Sequence, residues 1–313
     1  MAVATAPTRT VDEILSWYHG QNPGVLTNMS RILNHGRLAG TGRLVILPVD
    51  QGFEHGPTRS FAPNPESYDP LYHFRLAIET GCNAYAAPLG FLEVGAADFA
   101  GQIPLILKLN NHDILQDEKD PLGAHTASVR DALRLGCVGI GYTIYPGTAD
   151  RRLQYEQLRA IAEEAKNYGL LVVVWSYARG GALSADDETG IDTISYAAHI
   201  AAQLGAHIVK VKLPTAHVGD AKSKALFEKQ GIPIDNLSDR VNYVLRSTFN
   251  GRRVIIHSGG AAKDDAAVFE EIRAIRDGGA FGSIIGRNCF QRKWDDAVAF
   301  LDTIMGMYEG SIA

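Results

Sequence analysis

The sequence predicts an α/β chain folded as a single (β/α)8 (TIM) barrel with an N-terminal helical extension. Three observations carry that expectation. Eight short apolar runs alternate with longer segments of helical spacing, as buried parallel strands alternate with their crossover helices. The length of 313 residues suits one barrel with additions. No GxGxxG follows the first run, which removes the main signature of a doubly wound dinucleotide-binding sheet.

In chain order the strand candidates are Arg43–Val49, Ala84–Pro88, Pro104–Leu109, Val138–Ile144, Leu170–Ser176, His207–Leu213, Arg253–Ser258 and Gly282–Gly286. Each is short and apolar, and most are followed by Gly, Pro or a polar residue. The helical segments between them are Asp69–Thr80, Thr126–Leu135, Asp150–Asn167, Asp192–Leu204, Ser238–Thr248 and Asp264–Asp277. Asp150 and Asp264 stand where an N-cap belongs, and Gly169 and Gly205 where a helix ends in a left-handed residue. Residues 1–40 form the extension, with two short helices and a capping-box pattern, Thr10 followed by Glu13; residues 41–313 form the barrel. Residues 214–237, which include Pro214, Gly219, Gly231 and Pro233, read as a long loop after the sixth strand, a lid or an oligomer contact.

Composition excludes several classes. With 46% hydrophobic and 21% charged residues the chain is not disordered. A net charge of −5 argues against a nucleic-acid-coating or membrane-surface protein, yet leaves room for a phosphate-bearing small molecule. Cys82, Cys137 and Cys289 are odd in number and widely spaced, which fits a reducing compartment. Met1–Arg9 lacks the apolar stretch of a signal peptide, and no apolar run approaches the roughly 20 residues of a membrane span, so the cytoplasm is expected.

In a barrel of this kind functional side chains sit at the C-terminal strand ends, and phosphate sits in the loops after strands seven and eight. The sixth run, His207-Ile-Val-Lys-Val-Lys-Leu, puts Lys210 and Lys212 on one face and Val209, Val211 and Leu213 on the other. The apolar face suits the surrounding helices, so both lysines point into the barrel. Crowding and desolvation there leave one of them a neutral amine able to attack a carbonyl. Period alone does not say which, and a salt-bridged or anion-binding lysine pair is the competing structural reading. Trp175 and Tyr177 share parity on the fifth run, the one as an apolar wall and the other as a proton relay, or both as packing under a helix. Asp50 ends the first run, where it orients the lysine or binds a hydroxyl; capping the next turn is the commoner job for an Asp near Gly. His55 follows in the same loop. Ser258-Gly259-Gly260 and Gly286-Arg287 end the seventh and eighth runs, and glycine backbone with an arginine fork suits a phosphate. Lys108 interrupts the apolar third run as a further interior charge, while Tyr142 and Tyr145 read as packing or rim residues. The 10 histidines form no HxxxH or HEXXH pattern, and no metal is expected.

With these residues in view, the chain resembles the archaeal-type class I fructose-1,6-bisphosphate aldolases, which also occur in bacteria. The resemblance runs from about Leu44 to Arg292. It rests on Asp50-x-Gly-x-Glu54-His55-Gly56-Pro57, Leu105-Ile-Leu-Lys108-Leu-Asn110, Gly141-Tyr-Thr-Ile-Tyr-Pro-Gly147, Trp175-Ser-Tyr177-x-Arg179-Gly180-Gly181, Lys210-x-Lys212, Ser258-Gly-Gly260 and Gly286-Arg287-Asn288-x-x-Gln291-Arg292. It implies an imine on Lys210, Tyr177 as general acid/base, and Asp50 and Trp175 orienting substrate. His55, Gln51, Arg179 and Lys212 would line the pocket, and Ser258, Gly259, Gly260, Gly286 and Arg287 would hold phosphate. It further implies sugar-phosphate substrates, no cofactor or metal, and a homo-oligomer, often a decamer. Many relatives carry His where this chain has Gln51, which does not protonate near neutral pH. The competing functions are a related Schiff-base or acyl-transfer barrel enzyme, such as a heptulosonate-type synthase or a thiolase, and a non-catalytic sugar-phosphate-binding protein.

Overall fold

All eight predicted strands form, and they close on one another. The computed structural model describes residues 9–115, 119–258 and 264–312. The barrel strands are β1 (Leu44–Pro48), β2 (Ala84–Pro88), β3 (Leu105–Lys108), β4 (Gly139–Ile144), β5 (Leu171–Ser176), β6 (Ile208–Lys212), β7 (Val254–Ser258) and β8 (Gly282–Ile284). Each pairs in parallel with its sequence neighbour, and β1 pairs with β8 through Leu44↔Gly282 to shut the barrel. Strands buried on both faces explain why the runs are nearly continuous in apolar residues rather than alternating.

Closure depends on one backbone approach. Gly282 adopts φ +150°, and a side chain there would collide with the carbonyl oxygen of Leu44. Gly282→Ala is therefore expected to cost about 3 kcal/mol of stability, read as a lower denaturant midpoint. A variant with an unchanged midpoint would show that the β1–β8 seam tolerates a Cβ.

The predicted helices lie at Pro70–Glu79, Val129–Arg134, Arg151–Asn167, Ile191–Gln203, Leu237–Ser247 and Asp265–Asp277. Asp264 caps its helix by accepting from the Ala267 amide at 2.8 Å. Asp150 does not: its φ −88° and ψ 11° are nearly helical, whereas a capping side chain works from extended backbone. Gly169 and Gly205 take φ +75° and +92°, as expected past helix ends. Residues 214–237 are not a plain loop. They contain the helix Ala221–Gln230, capped by Asp220 and ended by Gly231 at φ +58°. Unanticipated helices lie at Leu89–Gly95 and Trp294–Glu309, the latter burying Phe300, Leu301 and Ile304 and packing beside the helices Asp265–Asp277 and Pro70–Glu79.

The two N-terminal helices, Val11–Ser16 and Pro23–Leu33, cover the face where the strands begin. Thr10 accepts from the Glu13 amide at 3.1 Å, half of the expected capping box. The Tyr18 hydroxyl donates to the His207 carbonyl at 2.7 Å just before β6, and Asn28 donates to the Gly169 carbonyl at 2.8 Å just before β5. With that end sealed, the opposite strand ends remain open.

Candidate active site

The C-terminal strand ends enclose a chamber of about 600 Å³. Asp50, Gln51, His55, Tyr177, Arg179, Lys210, Lys212, Ser258, Gly286 and Arg287 all line it, so the scattered sequence candidates converge. Gly259 and Gly260 lie outside the described residues.

Strand register explains the convergence. Trp175 on β5 is the partner of Lys210 on β6, and Lys212 is the partner of Ser258 on β7. Lys210 and Trp175 thus share one level, with Lys212 and Ser258 one inward step higher. Trp175 fits because β4 carries glycine beside it: a Cβ on Gly141 would lie 2.6 Å from the indole ring. Trp175 is buried, and Lys210 Nζ lies 5.3 Å from the centroid of its ring and 5.4 Å from that of Tyr177.

The two lysines on β6 have different surroundings. Lys210 is only 4% exposed and has no ion-pair partner among the described residues. Burial is the largest influence on its amine and lowers its pKa; Asp50 and Glu54 pull it upward, and Arg287 adds to the lowering. Lys212 is partly open to solvent and pairs with Glu188 at 3.3 Å.

Asp50 does not cap the short helix Gln51–Glu54 that follows it. Its carboxylate faces Lys108 Nζ at 3.9 Å, and the same ammonium lies 3.1 Å from Glu54 and donates to the Asn110 carbonyl at 2.6 Å. Lys108 also stands 5.6 Å from the centroid of the Trp175 ring, so it does join the interior network. Burial, then the Asp50 charge, pushes the Glu54 carboxyl upward against the opposing pull of Lys108. Burial, with Asp50 and Glu54, raises Tyr177 well above the ordinary phenol value; its hydrogen bond to Ser258 and nearby Arg179 oppose this. Tyr177 is accordingly neutral at pH 7. His55 is neutral too, lowered to about 4 by burial first and the charge of Arg287 second.

Some lining residues were not singled out for the site. Tyr145, expected as packing or rim, reaches the chamber with the Arg179 guanidinium 5.6 Å from its ring centroid. Tyr142 does pack, its hydroxyl 2.7 Å from His125 Nε2. Lys119, Glu188 and Glu54 also line the chamber. Glu54 carried a signal, since it falls four residues after Asp50 and one helical turn brings both to the same side. Lys119 and Glu188 come from long loops and carried none. No group of three or more His, Cys, Asp or Glu with metal-holding geometry occurs among the described residues.

The sequence pattern of the DeoC/LacD family aldolases matches residues 44–292. The chain belongs to the DeoC/LacD aldolase family. It is 36% identical over 301 residues to a probable class 1 fructose-bisphosphate aldolase of Chlamydia trachomatis, covering 92% of this chain and 85% of that protein. A class 1 fructose-bisphosphate aldolase of Thermoproteus tenax is 33% identical over 270 residues, covering 86% of this chain and 90% of the relative. Among solved structures, an archaeal fructose-1,6-bisphosphate aldolase superposes with a TM-score of 0.74 at 30% identity, covering 90% of this chain and 98% of that one. In that structure the catalytic lysine is covalently bound to the carbinolamine intermediate of its substrate. The resemblance drawn from the motifs is borne out, and this DeoC/LacD aldolase is a carbon–carbon lyase built on the expected barrel.

Proposed function

We propose that this aldolase reversibly cleaves fructose 1,6-bisphosphate to dihydroxyacetone phosphate and glyceraldehyde 3-phosphate through an imine on Lys210. One observation carries the assignment to this lysine: it is the amine buried against Trp175 and Tyr177 without an ion-pair partner among the described residues, while Lys212 and Lys108 are committed to carboxylates. Burial lowers its pKa and so raises the fraction of neutral, nucleophilic amine at pH 7.

Lys210 Nζ attacks the C2 ketone, and Tyr177 donates a proton to the departing carbinolamine oxygen. The resulting iminium accepts the electron pair of the C3–C4 bond as Tyr177 handles the proton of the C4 hydroxyl. Glyceraldehyde 3-phosphate leaves, the enamine is protonated at C3, and hydrolysis frees dihydroxyacetone phosphate. Asp50 Oδ2 and Gln51 Oε1 are buried without hydrogen-bond partners among the described residues, a costly state for polar atoms, and substrate hydroxyls would satisfy them. Trp175 forms the apolar wall beneath the ketose. Ser258, Gly259, Gly260, Gly286 and Arg287 take one phosphate, and Arg179, Lys212 and the neutral His55 line the path of the other end.

The covalent imine takes the place of a cofactor or metal. Three free thiols and the homo-oligomeric habit implied by the resemblance fit a cytoplasmic oligomer, up to a decamer, serving glycolysis and gluconeogenesis. The test is borohydride reduction with dihydroxyacetone phosphate in excess chelator, followed by peptide mapping. A stable adduct on Lys210 is expected. An adduct on another lysine, or none, would overturn the assignment, and a chelator-sensitive reaction would overturn metal independence.

A further inference from the structure

Two carboxylates and two lysines meet at the floor of the chamber, and their charges do not pair off one to one. Asp50 and Glu54 both approach Lys108 Nζ, at 3.9 and 3.1 Å. Lys108 is held in place by the Asn110 carbonyl at 2.6 Å. Lys210 faces the same space with no carboxylate in ion-pair contact among the described residues. Uncompensated charge in so buried a cluster is costly, so its net charge stays near zero. Two carboxyl groups share the one Lys108 head, so with Lys210 a free amine one of them lacks a counter-charge, and a proton on Glu54 removes the excess. Once a positive iminium stands on Lys210, neutrality requires that Glu54 be ionised.

We propose that Glu54 holds a proton in the free enzyme and releases it as the imine forms, becoming the counter-charge of the iminium. This deepens the function proposed above and rests on Lys210 as the imine lysine. In the step, the Lys210 nitrogen bonds to the carbonyl carbon and the carbon–oxygen bond breaks. The oxygen leaves as water with one amine proton and the proton donated by Tyr177, the other amine proton restores the Tyr177 phenol, and the Glu54 proton ends on the imine nitrogen. The cluster keeps its net charge and draws no proton from solvent; hydrolysis returns the proton to Glu54. The groups facing Glu54 are Asp50 after β1, Lys108 on β3, Tyr145 after β4, Tyr177 after β5 and Lys210 on β6. Burial holds both tyrosines neutral, and burial with Asp50 also pushes the Glu54 carboxyl upward. Glu54 acts through the charge on Lys210, so it is a positioning residue.

The test measures the equilibrium level of borohydride-trapped imine with dihydroxyacetone phosphate against pH, on the acid side of neutrality. Dividing one profile by another removes the substrate's own phosphate titration. Glu54→Gln must take its iminium proton from solvent, so its imine level relative to the unmodified protein should fall about tenfold per pH unit as pH rises. Glu54→Asp should restore the parallel profile. A Glu54→Gln profile that is merely lower and parallel would reflect packing and overturn the proposal. If Glu54→Gln fails to fold, infrared spectroscopy of the unmodified protein with isotope-labelled glutamate decides. A protonated carboxyl band lost on adding dihydroxyacetone phosphate supports the proposal, and a band absent or unchanged overturns it. No trapping in the unmodified protein would instead sink the imine reading itself.

Discussion

Lys210→Ala is expected to lower cleavage of fructose 1,6-bisphosphate by about 10⁴-fold or more while leaving the barrel folded. The magnitude follows from losing the covalent route altogether: without an amine to convert the C2 ketone into an iminium, the C3–C4 electron pair has no comparable sink. The folded state should survive because a lysine buried at 4% exposure, with no ion-pair partner among the described residues, stabilises little by itself. The chamber it leaves behind is already open at the mouth and can take water. Lys212→Ala is the informative contrast. Its ammonium is paired with Glu188 at the rim, so its loss should act on KM more than on kcat. Assay of both variants, with circular dichroism as a check on folding, separates the two lysines that strand period could not. A Lys210→Ala protein with near-native turnover would reject the assignment.

Why the lysines were legible as a pair but not as individuals is a matter of what strand periodicity encodes. Alternation on β6 puts both on the inward face, and the structure agrees. Their difference comes from depth and from Glu188, which arrives on a short 3-10 turn, Asp187–Thr189, in a loop whose course no local pattern dictates. The strand ends were legible because buried parallel strands need continuous apolar residues, so Lys108 and Lys210 stand out as costly exceptions. Asp50 shows the opposite case. Capping is the usual work of such an aspartate, and only the long-range approach of Lys108 from β3 turns it inward. Tyr145 read as packing because its residue type suits packing; its place in the chamber depends on Arg179, from the loop after the next strand. The helix Ala221–Gln230 was hidden by its flanks, where Pro214, Gly219, Gly231 and Pro233 read as loop although they only bound the helix.

Tyr177→Phe should lower kcat by about 10²- to 10⁴-fold with little change in KM, the range for loss of one positioned proton-transfer group. The substitution keeps the ring that lies 5.4 Å from Lys210 Nζ and removes only the hydroxyl, so the wall of the chamber and the burial of the amine are preserved. What is lost is a proton held for delivery. Burial raises the phenol well above its ordinary value, so it stays protonated through the neutral range and can donate to the carbinolamine oxygen. Ser258 hydrogen-bonds it and Arg179 lies near, and both favour the phenolate formed after donation, which makes the transfer reversible. Slow dehydration still leads to an imine, so borohydride with dihydroxyacetone phosphate should label Lys210 in this variant, only later. That outcome distinguishes a lost proton relay from a lost nucleophile, which labels at no time. Rapid turnover in Tyr177→Phe would move the general acid elsewhere, and Tyr145 is the next phenol in the chamber to test.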